Sequence, residues 1–316
     1  MRLFVTVIEA GSFATAADRL GLSPSIISKQ IAALERDLGA RLLNRTTRKM
    51  AVTEIGERYF EQCRKILIDI DSAEEEVAAL QGSARGRLSV RVPHSIGILH
   101  LGSMIADFCM AYPEISASIA TDDFPLRAFE MERRSDVVLH LGPVVSPGLA
   151  ARELTSIVWY PCASPEYLKR HGTPESPADL RRFNCLVHQS VFSDGRWPLH
   201  GPGGDTVVSV AGTFAANSVM ILSEAARNGM GISLLPSFCI YRSIEDGSLV
   251  RVLPGHQGPQ RNLHAAYQAN RMVPQRLRLF IDFMVERLRT PPWAAAFASS
   301  SADKLVFPPI DRYSET

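Results

Sequence analysis

The sequence predicts a protein of the α/β class in three parts: a small helical domain with a hairpin, a long linker helix, and a larger α/β domain. Three observations predict this division. Short amphipathic helices separated by glycine fill residues 1–58, a heptad pattern of apolar residues follows, and strands alternate with helices from Arg87 onwards. A chain of 316 residues suits two or three domains better than one.

Composition limits the class of protein. The net charge is +1, so any DNA-binding surface has to be local; residues 1–58 hold nine Lys/Arg and six Asp/Glu, an excess of 9 − 6 = +3. The five cysteines are scattered without a C-x-x-C pair, so no metal site is expected. We expect free thiols, with a redox switch as the alternative. No apolar run reaches the roughly 20 residues of a membrane span, and the start lacks a signal-peptide layout, which favours a cytoplasmic protein without membrane contact.

The first 38 residues have the pattern of a helix-turn-helix. Apolar residues of the first helix precede Gly11, and Ser12 can cap a second helix that contains the small residues Ala16 and Ala17. Gly21 permits a tight turn, after which Ser23 and Pro24 begin a third helix. Its inward stripe consists of Ile27, Ile31, Leu34 and Leu38. An ordinary helical bundle would show similar stripes.

Two groups of polar residues would meet DNA. One is the outward face at the start of the third helix, and the other is a basic hairpin that follows, read as a wing. The alternative for the hairpin is a solvated charged loop. The predicted DNA-binding residues are Pro24, Ser25, Ser28, Lys29 and Gln30 on the helix, and Arg45, Arg48 and Lys49 on the wing.

Residues Phe4–Gly56 resemble the N-terminal winged helix-turn-helix of LysR-type transcriptional regulators. The resemblance includes G-S-F at Gly11–Phe13, L-E at Leu34–Glu35 and R-x-x-R at Arg45–Arg48. It implies base and backbone contacts from the start of the third helix and from Arg48. Lys29 stands where arginine is more usual in the family, which weakens a bidentate contact to guanine.

The linker predicts a dimer. Thr53 can cap a long helix to about Leu80, with a hinge at 81–86. The apolar positions repeat at spacings of four and three, and the alternative is a helix packed on its own domain. The seam consists of Tyr59, Cys63, Ile66, Ile70, Ala73, Val77 and Leu80. The resemblance implies that this helix pairs two protomers, as a homodimer or homotetramer, on an inverted-repeat operator in double-stranded DNA, and RNA polymerase is an expected further partner.

The larger domain begins with strands at Leu88–Val92, Ile115–Ala120, Val137–Leu141 and Ile157–Cys162, with a helix at Gly97–Ala111. This alternation predicts mostly parallel sheets. The resemblance extends here through 163–180 and 225–236. It implies two Rossmann-like subdomains resembling periplasmic binding proteins, with the effector in the cleft between them. We place subdomain I at about 87–161 plus 264–290 and subdomain II at about 162–263. The domain limits are then 1–58, 59–85 and 86–290.

Five polar residues lie where such a cleft would be, at strand ends and helix starts: Ser95, Thr121, His140, Asn217 and Ser218. The alternatives are simple helix caps for both serines and a structural role for His140. None of the five is acidic, and helix N-termini favour negative charge, so we predict a small organic anion, most plausibly a carboxylate, as effector.

Rival functions are disfavoured. The sequence has no G-x-S-x-G elbow, Walker loop, H-E-x-x-H or dinucleotide fingerprint, so we expect no enzyme and no cofactor. A basic N-terminal domain without an export signal argues against a pure binding protein, and the large α/β domain argues against an architectural DNA-binding protein. Residues 291–316 are expected to form a flexible tail; docking of Trp293, Phe297 and Phe307 is the alternative.

Overall fold

The computed structural model describes residues 1–46, 49–79, 84–121, 135–145, 148–269 and 273–298. The N-terminal part contains α1 (Arg2–Ala10), α2 (Phe13–Leu20), α3 (Pro24–Leu38), β1 (Leu43–Thr46), β2 (Lys49–Val52) and the linker helix α4 (Glu54–Ala79). Within the described ranges, no helix combines the length and the apolar character needed to cross a membrane.

The predicted caps of the N-terminal helices are confirmed. The side-chain oxygens of Ser12, Ser23 and Thr53 accept hydrogen bonds from the backbone N–H groups of Thr15, Ile26 and Gly56, at 3.0, 3.3 and 2.9 Å. Gly21 ends α2 with a φ of 63°, a left-handed conformation that glycine adopts at low cost. Local sequence therefore determines where these helices begin and where the turn between α2 and α3 lies.

The N-terminal core follows the predicted stripe of α3 except at the end of the helix. Ile27 and Ile31 are fully buried and Leu34 is half-buried, whereas Leu38 is 43% exposed. Leu38 is the last residue of α3 and directly precedes the C-cap Gly39, so the buried part of the stripe ends before the helix does.

The linker helix packs partly on its own domain. Tyr59 lies with its ring centroid 5.5 Å from that of Phe4, and Cys63 is buried in the N-terminal core with Phe60. The first two seam positions therefore face the same chain, which corrects the seam prediction there. Because α4 starts at Glu54 and continues past residue 60, the predicted limit between 58 and 59 falls inside a helix. Leu80 and the side chains of Ala73 and Val77 lie outside what the structure describes.

The α/β domain contains the remaining elements, in chain order: β3 (Gly86–Val92), α5 (His94–Ile96), a π-helical turn (Gly97–Leu101), α6 (Gly102–Ala111), β4 (Ile115–Thr121), β5 (Val137–Leu141), β6 (Leu149–Ala163), α7 (Pro165–His171), a 3₁₀ helix (Pro177–Arg182), β7 (Cys185–His188), β8 (Arg196–Gly201), β9 (Gly204–Ser209), β10 (Ala215–Ala216), α8 (Val219–Arg227), β11 (Ile232–Pro236), α9 (Ser237–Glu245), β12 (Val250–Arg251), β13 (Gln260–Gln268), α10 (Gln275–Arg287) and α11 (Pro292–Ala298). The four predicted strands all lie in observed strands.

A mixed sheet with parallel strands at both ends runs through the two subdomains. Among the described strands the sheet order is β10-β7-β11-β6-β13-β5-β3-β4, with β12 also paired to β6. The pairs at both ends are parallel, whereas β6 and β13 pair antiparallel with each other and with their neighbours. The expectation of mostly parallel sheets is therefore confirmed only in part, because β6, β12 and β13 pair antiparallel and β8 and β9 form a separate antiparallel sheet.

The chain changes subdomain inside β6 and β13. In β6, Val158 still pairs with β13, whereas Trp159 pairs with Pro236 of β11. The predicted crossing at Pro161 is about three residues late, since Pro161 already pairs with Leu234. In β13, pairing with β6 begins at Gln260 opposite Val158, and pairing with β5 begins at Leu263, near the expected return to the first subdomain.

The prediction of a flexible tail is wrong for its first part. Residues 292–298 form α11, in which Trp293 is 2% and Phe297 8% exposed. The alternative, docking of these two aromatic side chains, is what the structure contains. Phe307 and the other residues after Ala298 lie outside the described chain.

Candidate DNA-binding surface and effector site

The start of α3 is open to solvent. Pro24, Ser25, Lys29 and Gln30 are exposed and Ser28 is half-buried. The Oγ atoms of Ser25 and Ser23 lie 2.9 Å apart, so the Ser25 hydroxyl is held beside the helix cap. The predicted helix residues are thus at least partly accessible, as contact with the major groove requires.

Ile26 was missed by sequence reasoning. It lies in the first turn of α3 and is 44% exposed, although isoleucine is usually buried. An apolar side chain on a recognition helix can contact the methyl group of thymine. The sequence does not single out Ile26 as a contact residue, because adjacent side chains on a helix point in different directions and the pair with Ile27 predicts only that one of the two is buried.

The wing is held against α3 by a carboxylate. In the wing, β1 and β2 pair antiparallel, with Arg45 opposite Met50. Oε1 of Glu35 accepts hydrogen bonds from the backbone N–H groups of Leu42 and Leu43, at 2.8 and 3.0 Å. The carboxylate thereby fixes where the wing leaves the recognition helix. Arg48 and the side chains of Arg45 and Lys49 lie outside what the structure describes.

The linker helix α4, which follows the wing, packs closely against the start of the wing. A Cβ atom on Gly56 would overlap the carbonyl oxygen of Leu42, so only glycine allows α4 to pack here. The wing is therefore anchored from both sides, by Glu35 of α3 and by the first turn of α4.

In the first subdomain, the register of β3 and β4 places Val92 opposite Thr121, so both strands end at the same edge. Thr121 is exposed, and its Oγ1 lies 3.2 Å from Nδ1 of His94. Ser95 is 6% exposed and is the second residue of α5, whose N-cap is Pro93. The alternative of a simple cap is thus wrong for Ser95.

His140 is placed differently. It lies opposite His264 of β13, near the end of β5, and these cross-strand neighbours share a face of the sheet with Val138 and Ala266. The last two side chains form a small separate apolar cluster. His140 is half-buried and has a partner within the protein.

In the second subdomain, Asn217 and Ser218 follow β10 directly and precede α8. Ser218 is the N-cap of α8 by its backbone, but its side chain makes no capping hydrogen bond. Asn217 is exposed and Ser218 half-buried. Both therefore offer polar groups at the end of a strand, as Thr121 does in the first subdomain.

Arg261 was also missed. It lies on β13 opposite Ile157, where the strands pass from one subdomain to the other. Burial lowers the pKa of its guanidinium, and it makes no hydrogen bond or ion pair with the described residues. The sequence around it, a polar run after glycine and proline, does not distinguish it from a surface arginine.

Three of the cysteines have environments that disfavour the reactive thiolate. All five are free. Burial raises the pKa of Cys185 and of Cys239 to about 12, and that of Cys162 further still. Protonated thiols are poor nucleophiles, which at these three positions favours the expectation of free thiols over a redox switch.

Two family models match nearly the whole chain. Residues 1–57 match the bacterial regulatory helix-turn-helix protein, lysR family, and residues 81–289 match the LysR substrate binding domain. The chain belongs to the LysR-type transcriptional regulators. Proteins of this family bind DNA through the first domain, respond to small molecules through the second, and form oligomers.

Relatives of this LysR-type regulator match over most of their length. The transcriptional regulator PtxR of Pseudomonas aeruginosa is 34% identical over 93% of this chain and 93% of its own. CrgA of Neisseria meningitidis is 34% identical over 91% and 96%. The full-length structure of the Vibrio cholerae virulence activator AphB is 30% identical, with a TM-score of 0.60 over 91% of this chain and 98% of that one.

Proposed function

We propose that this LysR-type regulator is controlled by a small organic anion, most plausibly a carboxylate, that binds between the two subdomains. The observation that carries the proposal is Arg261. A half-buried guanidinium without a carboxylate partner is unfavourable, because burial weakens its hydration and no acidic side chain of the described residues pairs with it. A bound carboxylate would supply that compensation with a bidentate hydrogen-bonded pair.

The residues predicted from the sequence would complete the site. Ser95, Thr121, Asn217 and Ser218 are neutral donors at strand ends in the two subdomains, so one ligand that touches both groups would favour one arrangement of the subdomains. His140 would contribute only if its ring turns towards the ligand. No acidic side chain belongs to this set, which supports an anion over a cation.

Operator binding is assigned to the open face of α3 and to the wing. We propose direct base contacts from Ser28, Lys29 and Ile26, and backbone or minor-groove contact from Arg48. The exposed Ile66 and Ile70 on α4, each 41% exposed, would pair with a second copy. Such a dimer would read an inverted repeat and act with RNA polymerase in the cytoplasm, where the DNA is.

Calorimetric titration with a panel of small carboxylates tests the effector. For a carboxylate that binds the wild type, Arg261→Gln should weaken binding by about tenfold to a hundredfold, because a charged hydrogen-bonded pair contributes about 1.5–3 kcal/mol. The matched control is Arg278→Gln, which removes an exposed arginine from α10 and should leave the affinity unchanged.

Two results would contradict the proposal. Equal affinity of the wild type and Arg261→Gln would remove Arg261 from the site. A screen in which only neutral or cationic compounds bind would overturn the anionic effector itself.

A further inference from the structure

The C-terminal helix α11 lies beyond the match to the substrate-binding domain, which ends at residue 289. It is short, yet Trp293 and Phe297 are almost completely buried. The segment is therefore not part of the matched domain, and its burial calls for a separate explanation.

One side of α11 packs on the second subdomain. The Phe297 ring stacks on Tyr160 with centroids 4.5 Å apart and an interplanar angle of 8°. The Arg251 guanidinium lies 4.2 Å from the centroid of the same tyrosine, which places it on the opposite face of the ring. Trp293 also meets Phe238 of α9 edge-on, at 6.2 Å. Aromatic contacts of this geometry are favourable beyond the burial itself.

The same helix also contacts the first subdomain. The ring of His100, in the π-helical turn, lies 4.7 Å from that of Trp293. Nε2 of His100 is 2.9 Å from the carbonyl oxygen of Phe238, so the π-helical turn is already bonded to α9 where Trp293 covers them. Trp293 therefore sits on the junction of the two subdomains.

The chain leading into α11 belongs to the first subdomain. Phe280 of α10 packs edge-on against Phe108 of α6, with centroids 5.3 Å apart. Only residues 288–291 separate α10 from α11. The C-terminal segment thus starts on one subdomain and is anchored on the other.

We propose that α11 is a strap that holds the two subdomains in one resting arrangement. Rotation of one subdomain against the other has to unseat Trp293 from His100 or from Phe238. The strap thereby sets how easily the regulator changes shape, whatever the chemical class of its effector.

Hydrogen exchange of the full-length protein, without effector, tests the strap through Trp293→Ala. Amides of both the π-helical turn Gly97–Leu101 and α9 should exchange at least about tenfold faster, because each side of the junction loses a packed partner. The control is Ala295→Ser, an exposed position on the same helix, which should leave both segments unchanged.

Faster exchange in α9 alone would show that α11 only covers the second subdomain, and it would overturn the proposal, as would no change in either segment. If Trp293→Ala does not fold, hydrogen exchange of the same two segments is measured in Phe297→Leu. That variant removes the ring stack on Tyr160 and keeps an apolar side chain. Both segments must respond to that variant, and a response of α9 alone would again overturn the strap.

Discussion

Removing the Glu35 carboxylate should loosen the wing. It accepts two hydrogen bonds from the backbone of Leu42 and Leu43, whose side chains are 0% and 2% exposed. In Glu35→Ala both N–H groups lose their partner beside a buried segment, and each unsatisfied group costs about 1–3 kcal/mol. A local loss of about 3 kcal/mol is expected, which is more than a hundredfold in the opening equilibrium.

The assay is hydrogen exchange of the peptide that contains Leu42 and Leu43 in the full-length protein. Binding of a duplex selected by the wild type from a random library is measured beside it, by fluorescence anisotropy. Glu35→Gln should give an intermediate effect, because an amide oxygen can still accept but carries no charge. Asp37→Asn is the control, an exposed acid on the same helix.

Unchanged exchange at Leu42 and Leu43 in Glu35→Ala would refute the idea that this carboxylate holds the wing. If exchange rises but DNA affinity does not fall, the wing is held as described and the assignment of the wing to DNA binding is wrong.

Three further perturbations test other parts of the molecule. Ser28→Ala and Lys29→Ala should each reduce the discrimination between the selected duplex and random DNA in gel-shift titrations. If Lys29 contacts a phosphate, Lys29→Ala should also lower the slope of log affinity against log salt concentration by about 0.9. Unchanged specificity in both variants would show that the surface is misassigned. Ile66→Glu combined with Ile70→Glu should bury charge at the predicted dimer seam and give monomers in light scattering, whereas an unchanged oligomer would exclude this seam. Burial lowers the pKa of His100 below its usual 6.5. As the pH falls below 6.5, His100 therefore binds a proton in the unfolded chain but not in the folded chain, and this favours unfolding. The Tm of the wild type should drop more steeply towards pH 5.5 than the Tm of His100→Gln, and parallel curves of Tm against pH would contradict this expectation.

Local features of the sequence determined much of the fold. Serine, threonine and glycine at helix ends act within three or four residues, so the caps at Ser12, Ser23 and Thr53 could be read without tertiary structure. Strand periodicity is also local, and β5 was predicted with its observed limits at Val137 and Leu141. The outward face of α3 follows from the same helical period.

Only the tertiary structure decided which partner each apolar or charged group meets. A heptad pattern states that Cys63 is buried but not whether its own domain or a second copy buries it, and the structure shows the former. The same limit applies to Trp293, which occurs in a segment too short and too rich in proline to predict a helix, and which is buried because distant residues provide its site. Arg261 shows it for charge: whether an arginine has a counter-ion depends on long-range contacts between strands, which spacing along the chain does not encode.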